Sequence, residues 1–327
     1  MPHIRHGPPA AAKLHGELMS HSTHPAHSLP TPALSLPANL LHLSGRNAIT
    51  FAQAQFANDV ALLADGQWQW NLWLSAKGRV VALFALLRLD GENLLAWLPD
   101  FPAEELAQRL TAFRFRSKLT LQALPDISAL GLFSAPADAG FNAERVQAHI
   151  ERDDQGQWRR IALDLGGDSA RTLVLHAADT GAQTDQPGND ASLEARWNLD
   201  DIAHGLPRLG PDQTEAFTPQ MLGLDRLAAF SVKKGCYPGQ EIVARVHFLG
   251  QAKRGVLRLA LNQPATPGTR LRNEAGAQAE IISIQALGER IEALAIAPLD
   301  AAEGSFHSED GHIQATTLPL LDGLARG

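Results

Sequence analysis

The sequence predicts an α+β protein that ends in a small all-β domain. Between residues 67 and 98, apolar side chains alternate with other residues, and glycine-containing turns separate the runs, as in an antiparallel meander. Beyond Lys253 the pattern changes to short strands alone, which fits a barrel or a sandwich. The sequence contains neither a phosphate-binding loop nor the paired-glycine fingerprint of a dinucleotide-binding fold.

The individual elements follow from apolar periodicity and turn residues. A strand is expected at 40–43, and a helix at 47–57 has its apolar residues on one face. After the meander, a second helix should begin near Pro102, which suits a first turn. In the second half, a hairpin at 158–177 is followed by a helix at 192–204. The strands expected in the C-terminal domain are 255–261, 279–286, 290–297 and 313–318.

Residues 1–37 are predicted to be a disordered leader. They contain six histidines and seven prolines and show no apolar periodicity. Scattered histidines in a flexible tail have no fixed geometry, so we expect no metal site there. The continuous apolar segment of a secretory signal is missing. Met19 is an alternative start of the chain.

Composition excludes several classes of protein. With 327 residues and 45% hydrophobic side chains, the chain can form two or three domains with their own cores. A single cysteine excludes an internal disulfide and a metal cage made of cysteines alone. No apolar run reaches the roughly 18 to 20 residues that cross a bilayer. The net charge of −7 argues against general binding of nucleic acid. We therefore expect a cytoplasmic protein with no membrane or direct nucleic-acid partner.

The only cysteine, Cys236, follows two lysines and precedes an apparent helix start. Lys233, Lys234 and the positive end of the helix could stabilise the thiolate, which is the nucleophilic and metal-binding form. Residues 237–240, Tyr-Pro-Gly-Gln, predict a type II turn that presents the thiol, and a helix should continue to Gly250. The alternative is that Cys236 is simply a small buried apolar residue.

A family resemblance favours the functional interpretation. Residues 234–241 read Lys-Gly-Cys-Tyr-Pro-Gly-Gln-Glu, which resembles the signature of the YgfZ family of folate-binding proteins. That family shares its fold with the aminomethyltransferase of the glycine cleavage system. Together the matches extend over residues 38–260. The further matching motifs are Gly45-Arg46-Asn47-Ala48, Asn58-Asp59-Val60, Ala76-Lys77-Gly78-Arg79, His204-Gly205-Leu206-Pro207 and Phe217-Thr218-Pro219-Gln220.

The resemblance implies an aminomethyltransferase-like fold, in which two antiparallel-sheet α+β domains and a small C-terminal β-barrel surround a central opening. Residues 38–65 and 135–250 would form the first, discontinuous domain, which binds folate and carries Cys236. Residues 66–134 would form the inserted second domain, and residues 251–327 the barrel.

The resemblance also implies a role. It indicates a tetrahydrofolate-binding accessory protein in iron–sulfur cluster assembly or repair, which indirectly supports tRNA modification by iron–sulfur enzymes. Its partners would be folate or a folate derivative, a transient iron–sulfur cluster, and iron–sulfur enzymes or assembly proteins. Cys236 would be the reactive or ligating thiol, with Lys234 lowering its pKa. Because a cluster needs about four protein ligands, the others would come from a partner or a second copy. The expected folate-binding residues are Lys233, Gly235, Tyr237, Gly239, Gln240, Glu241, Arg245 and Asp100.

A second basic group precedes the end of the meander domain. It could contribute to binding the glutamate carboxylates of folate, although a solvated helix face is the simpler interpretation. Its members are Arg109, Arg114, Arg116 and Lys118.

Two enzymatic alternatives remain open at the level of sequence. The first is a folate-dependent aminomethyltransferase. The resemblance implies an acid near the helix after the meander, where only Asp100 could stand in, although Asp100 also occupies a position typical of a helix cap. The second is a hydrolase or transferase with Cys236 as nucleophile. His247 would lie about 15 Å away along a helix, so His204 or another distant histidine would have to serve as base.

Overall fold

The structure is a computed structural model, and it describes residues 32–134, 146–166, 170–177, 190–250, 252–301 and 304–326. These residues belong to one compact unit. Most of the predicted leader, including Met19, lies outside the described residues. The prediction of disorder is wrong at the end of this leader, because Ala33–Leu36 forms a strand with Leu34 and Leu36 buried.

The described elements are sixteen strands and four helices. The strands are β1 (Ala33–Leu36), β2 (Leu40–Ser44), β3 (Trp68–Leu74), β4 (Val80–Asp90), β5 (Asn93–Trp97), β6 (Thr120–Ala123), β7 (Ile127–Leu132), β8 (His149–Arg152), β9 (Trp158–Asp164), β10 (Thr172–Ala177), β11 (Arg254–Leu261), β12 (Arg270–Arg272), β13 (Gln278–Leu287), β14 (Arg290–Pro298), β15 (Ser305–His307) and β16 (Gln314–Leu318). The helices are α1 (Ala48–Gln55), α2 (Ala103–Thr111), α3 (Ala191–Ala203) and α4 (Gln240–Leu249). Short 3-10 helices are Val60–Leu62, Pro211–Gln213 and Leu299–Ala301.

Two five-stranded antiparallel sheets and a closed barrel organise these elements. The first sheet has the order β1-β7-β10-β9-β8, and the second has the order β3-β4-β5-β2-β6. The barrel has the order β11-β14-β13-β12-β15-β16. The α+β class, the two antiparallel sheets and the C-terminal barrel are therefore confirmed.

The domain limits stay a prediction. Two strands, however, lie in a different sheet from the other strands of the domain to which they were assigned. Strand β2, expected in the discontinuous domain, pairs instead with β5 and β6. Strand β7, expected in the inserted domain, pairs with β1 and β10. The chain thus changes sheets between β1 and β2 and again between β6 and β7, two short connections without a strong turn signal.

The core lies in three main apolar clusters. The largest joins inward-facing residues of both sheets, among them Trp68 and Trp70, with Trp197 of α3. A second cluster places α1 and α2 against the opposite face of the sheet that contains β4, where Phe84 is fully buried. Each fully buried large apolar side chain contributes about 1.5 to 3 kcal/mol to the free energy of folding. The packing of these clusters fixes the positions of the chain segments that carry the candidate site.

The barrel encloses the third cluster. After the last barrel strand, the chain returns to the largest cluster. Leu259, Ala293 and Phe306 lie inside the barrel. After β16, Leu324 packs into the largest cluster, and its carbonyl oxygen accepts a hydrogen bond of 3.0 Å from Trp70 Nε1. The four predicted barrel strands are confirmed, but β12 and β15 were missed because each has only three residues. No helix in the described ranges is long and apolar enough to cross a membrane.

Candidate functional site

The exposed thiol of Cys236 lies just before a tight turn, as predicted. The amide of Gln240 donates a hydrogen bond of 3.2 Å to the carbonyl oxygen of Tyr237. Gly239 has φ +78 and ψ −1, the left-handed conformation that a type II turn requires at its third position. Helix α4 begins directly after this glycine and ends at Gly250, which confirms the predicted turn and helix.

Gly239 also packs against the hairpin between β3 and β4. A Cβ atom at Gly239 would lie 2.6 Å from the Ser75 carbonyl oxygen and 2.7 Å from Gly78 Cα. A Cβ atom at Gly78 would lie 2.8 Å from Ile242 Cβ, and Gly78 itself has φ +67. Only two glycines allow the two backbones to approach this closely. The Ala-Lys-Gly turn and the cysteine loop, two separate sequence motifs, are thus one structural unit.

Lys234 is a buried structural cation. Its side chain is 5% exposed, and its Nζ donates hydrogen bonds to the carbonyl oxygens of Gln53 (2.6 Å), Phe56 (2.5 Å) and Asn58 (3.0 Å). The three carbonyl groups lie in the last turn of α1 and just after it, where backbone acceptors have no partner within the helix. Burial lowers the pKa of Lys234 from 10.5 to about 8, and the carboxylate of Asp59 opposes this shift. The amine is therefore protonated at neutral pH and joins α1 to the cysteine loop.

The remaining loop residues hold one another in place. Ser231 Oγ accepts hydrogen bonds from the amides of Lys233 (3.2 Å) and Lys234 (3.3 Å). Tyr237 donates its hydroxyl to the carbonyl oxygen of Ser231 at 3.2 Å, and burial raises the pKa of Tyr237 to about 12. Gln240 Nε2 donates to the Lys234 carbonyl oxygen at 3.0 Å. Cys236 is consequently presented to solvent by an ordered loop.

A cavity of about 600 Å³ adjoins the first residues of this loop. One wall is the segment that leads into the cysteine motif, and the facing wall is the start of β3 with the turn after α1. Lys233 is the predicted site residue that lines it. Its described lining residues are Asn58, Asp59, Leu62, Leu63, Gln67, Trp68, Gln69, Val146, Ala228, Phe230, Ser231, Val232 and Lys233.

Two hydrogen-bond donors in this wall have no partner among the described residues. They are Gln69 Nε2 and Trp68 Nε1, on side chains that are 4% and 0% exposed. By contrast, the side-chain donors of Asn58 have partners, because its Nδ2 donates to the carbonyl oxygens of Trp70 (2.9 Å) and Ala228 (2.6 Å). A buried donor without an acceptor costs about 1 to 3 kcal/mol. Both residues line the cavity, but neither donor atom is exposed to it, so each side chain would have to turn towards the cavity to reach an acceptor of a ligand.

Sequence reasoning missed these two donors, although a signal was present. Strand β3 reads Trp-Gln-Trp-Asn-Leu-Trp-Leu and is buried at every position. Gln69 and Asn71 are thus polar residues in a strand with no exposed face. Buried polar side chains are normally satisfied, so such residues mark either an internal network or a ligand site. Asn71 joins an internal network through its Oδ1, which accepts from the Asn58 amide at 2.9 Å, while its Nδ2 has no partner among the described residues.

Asp100 lies apart from the cavity's described lining and pairs with Arg208. Arg208 Nε donates to Asp100 Oδ1 at 2.7 Å, and the Leu209 amide donates to Oδ2 at 3.2 Å. Burial raises the pKa of Asp100, while the Arg208 guanidinium opposes the shift. The expected helix cap is wrong, because α2 begins at Ala103 with Pro102 in the cap position.

The other predicted residues have clear positions. Gly235 is exposed, with no atom within 4 Å of the place that a Cβ would occupy, and Glu241 and Arg245 are exposed on α4. His204 is buried, and its Nδ1 lies 2.8 Å from the carbonyl oxygen of Asp200 in its own helix. His247 is exposed in the last turn of α4. Within the described ranges, no three histidine, cysteine or acidic side chains cluster as metal ligands would.

Comparison with known proteins identifies relatives over about 70% of the chain. No protein-family model matches the chain. The tRNA-modifying protein YgfZ of Colwellia psychrerythraea is 28% identical over 228 residues, covering 68% of this chain and 70% of the relative. The tRNA-modifying protein YgfZ of Cronobacter sakazakii is 30% identical over 251 residues, covering 71% of this chain and 74% of the relative.

A solved structure shows the fold. The glycine cleavage system aminomethyltransferase T from Bartonella henselae superposes with a TM-score of 0.69 at 19% identity, over 88% of this chain and 84% of that one. At this identity the likeness speaks for the fold alone, since one fold can carry many activities. The sequence identity and coverage of the curated relatives, together with the cysteine loop, show that the chain belongs to the YgfZ family.

Proposed function

We propose that this protein binds tetrahydrofolate in the cavity beside Cys236 and supports tRNA modification as a cytoplasmic accessory to iron–sulfur enzymes. The names of the curated relatives support the connection with tRNA modification. The observation that carries the folate assignment is the cavity of about 600 Å³ next to the start of the cysteine loop, lined by Gln69 and Trp68, whose donors Nε2 and Nε1 have no partner among the described residues.

The cavity fits a reduced folate in size and in chemistry. Its volume of about 600 Å³ lies within the usual range of small-molecule sites. The pterin ring is flat and carries a carbonyl oxygen, which could accept a hydrogen bond from one of the two unpartnered donors. Leu62, Leu63 and Phe230 offer apolar contact for the rings. Lys233, which is exposed and lines the cavity, has the charge to bind a glutamate carboxylate of the folate tail.

The neighbouring thiol is suited to a reactive or ligating role. Cys236 is exposed, and its loop is held by hydrogen bonds of Ser231, Tyr237 and Gln240. Once it is deprotonated, a fixed, accessible thiol can bond to iron or attack a disulfide of a partner, from which the second sulfur leaves as a thiolate. Bound tetrahydrofolate would supply a carrier of one-carbon units beside it. A cluster passing through this site would need further ligands from an iron–sulfur partner, because one thiol supplies one of about four.

Tetrahydrofolate should bind to the full-length protein with one site, as measured by isothermal titration calorimetry. Gln69→Leu should weaken binding by about tenfold, because one neutral hydrogen bond is worth about 0.5 to 1.5 kcal/mol. Gln122→Leu is the matched control, since Gln122 is exposed on β6, outside the cavity's described lining. No binding by the wild type, or equal affinities for wild type and Gln69→Leu, would contradict the assignment.

Cys236→Ala separates the thiol from the folate site. The variant should bind tetrahydrofolate as tightly as the wild type, because Cys236 is not part of the cavity's described lining. In a strain lacking the gene, it should fail to restore the level of tRNA modification made by iron–sulfur enzymes, measured by mass spectrometry of digested tRNA. Full restoration by Cys236→Ala would show that the thiol has no role in the function.

A further inference from the structure

The loop between α2 and β6 is an exposed basic and aromatic surface that the proposed function does not use. Residues 113–118 read Phe-Arg-Phe-Arg-Ser-Lys. Phe115 is 88% exposed and Phe113 is 40% exposed, the first being the most exposed large apolar side chain among the described residues. A bare phenyl ring in water is unfavourable, so Phe115 suggests a binding surface, whereas the Phe113 ring packs edge-on against Trp73 with the ring centroids 6.3 Å apart.

The backbone holds Phe115 in this position. Its φ is +40, in the left-handed region that aromatic residues rarely adopt. Such a conformation persists only where the surroundings impose it. Here the Arg114 amide donates to the Thr111 carbonyl oxygen at 3.1 Å, and the Ser117 amide donates to the Arg114 carbonyl oxygen at 2.8 Å. At the base of the loop, the Lys118 amide donates to Asn47 Oδ1 at 2.8 Å.

Three cations of the loop have no acidic partner among the residues that the structure describes. Arg114, Arg116 and Lys118 are exposed and form no ion pair with any residue in the described ranges. Arg109, which sequence analysis grouped with them, is different, because it lies 2.6 Å from Glu105 and 3.7 Å from Glu215. Arg46, exposed between two residues that contact the Lys118 backbone, adds a further positive charge.

We propose that the loop 113–118 binds single-stranded RNA, with Phe115 stacking on an unpaired base and Arg114, Arg116 and Lys118 contacting phosphates. Aromatic rings alternating with cations match the alternation of bases and phosphates along an unpaired strand. The expectation of no direct nucleic-acid partner came from the charge of −7 of the whole chain, whereas this surface is locally positive. The proposal goes beyond the folate and thiol roles and is independent of them, since none of these residues lines the cavity.

The test is fluorescence anisotropy of the full chain with labelled oligouridylate of about twelve nucleotides, a length that one such site can cover. The variant Arg114→Gln/Arg116→Gln should bind more weakly, and the slope of log affinity against log salt should become about 1.4 less negative, at about 0.7 per lost phosphate contact. The matched control is Arg270→Gln/Arg272→Gln, which removes the same charge from exposed positions of β12. It should leave the slope unchanged.

Phe115→Gly tests stacking without a loss of folding. Glycine accepts φ +40 freely, so its thermal midpoint should equal or exceed that of the wild type. Affinity for oligouridylate should fall by about tenfold or more, with the salt slope unchanged. No RNA binding by the wild type, equal binding by Phe115→Gly, or an unaltered slope in the double-arginine variant would overturn the proposal. Equally tight binding of polyglutamate would also overturn it and would identify a docking surface for an acidic protein.

Discussion

Gly239→Ala should lower the free energy of unfolding by about 3 kcal/mol or more, measured by urea denaturation. Two costs add. Alanine at φ +78 loses about 1 to 2 kcal/mol from backbone strain alone. Its Cβ would also lie 2.6 Å from the Ser75 carbonyl oxygen and 2.7 Å from Gly78 Cα, so one of two backbone segments has to move.

The cysteine motif provides its own control for this substitution. Gly235 lies four residues earlier, is exposed, and has no atom within 4 Å of a Cβ position. Gly235→Ala should therefore change the free energy of unfolding by no more than about 0.5 kcal/mol. Equal stability of the two variants would mean that the contact between the loop and the Ser75–Gly78 turn does not hold in solution. A large loss of stability in Gly235→Ala, without one in Gly239→Ala, would also contradict this contact.

Lys234→Met should destabilise the protein by about 3 kcal/mol or more. Methionine fills a similar volume but donates nothing, so the carbonyl oxygens of Gln53, Phe56 and Asn58 lose a shared buried partner. Hydrogen bonds from a charged group are worth about 1.5 to 3 kcal/mol each, and unsatisfied buried acceptors add their own cost. Thermal and urea unfolding measure the effect.

Lys233→Met is the matched control for stability, because Lys233 is adjacent in sequence but its side chain is exposed. Its free energy of unfolding should stay within about 0.5 kcal/mol of the wild type. If the two lysine variants were equally stable, the buried position of the Lys234 amine would be wrong. Because Lys234 supports the thiol's loop, cysteine reactivity in Lys234→Met must be compared only under conditions where the variant remains folded.

Local sequence patterns predicted the cysteine turn because its determinants are local. A glycine in the third position of a turn and an apolar face after it are read from about ten neighbouring residues, and both the turn at Tyr237 and helix α4 are found as expected. The same holds for the barrel, whose long strands are mostly apolar runs bounded by turn residues. The family resemblance added the overall architecture, which no spacing of residues could have supplied.

Interactions between distant segments could not be predicted in this way. The sequence suggested that Lys234 acts on the neighbouring thiol, whereas its amine contacts carbonyl oxygens near α1. Asp100 was interpreted as a helix cap, but its carboxylate pairs with Arg208, and its contact with folate stays a prediction. In each case a charged side chain finds a partner more than 100 residues away, which composition and periodicity do not encode.

The long reach of Lys234 has a consequence for biosynthesis. Between 176 and 181 residues separate the lysine from the three carbonyl groups that it contacts. At about 5 to 20 residues per second, a ribosome needs roughly 10 to 35 s to bridge that interval. During this time α1 emerges without its cation, and water must solvate its last carbonyls. The thiol-bearing loop is therefore assembled late, and only a polypeptide synthesised well past residue 234 can present the cysteine in its folded geometry.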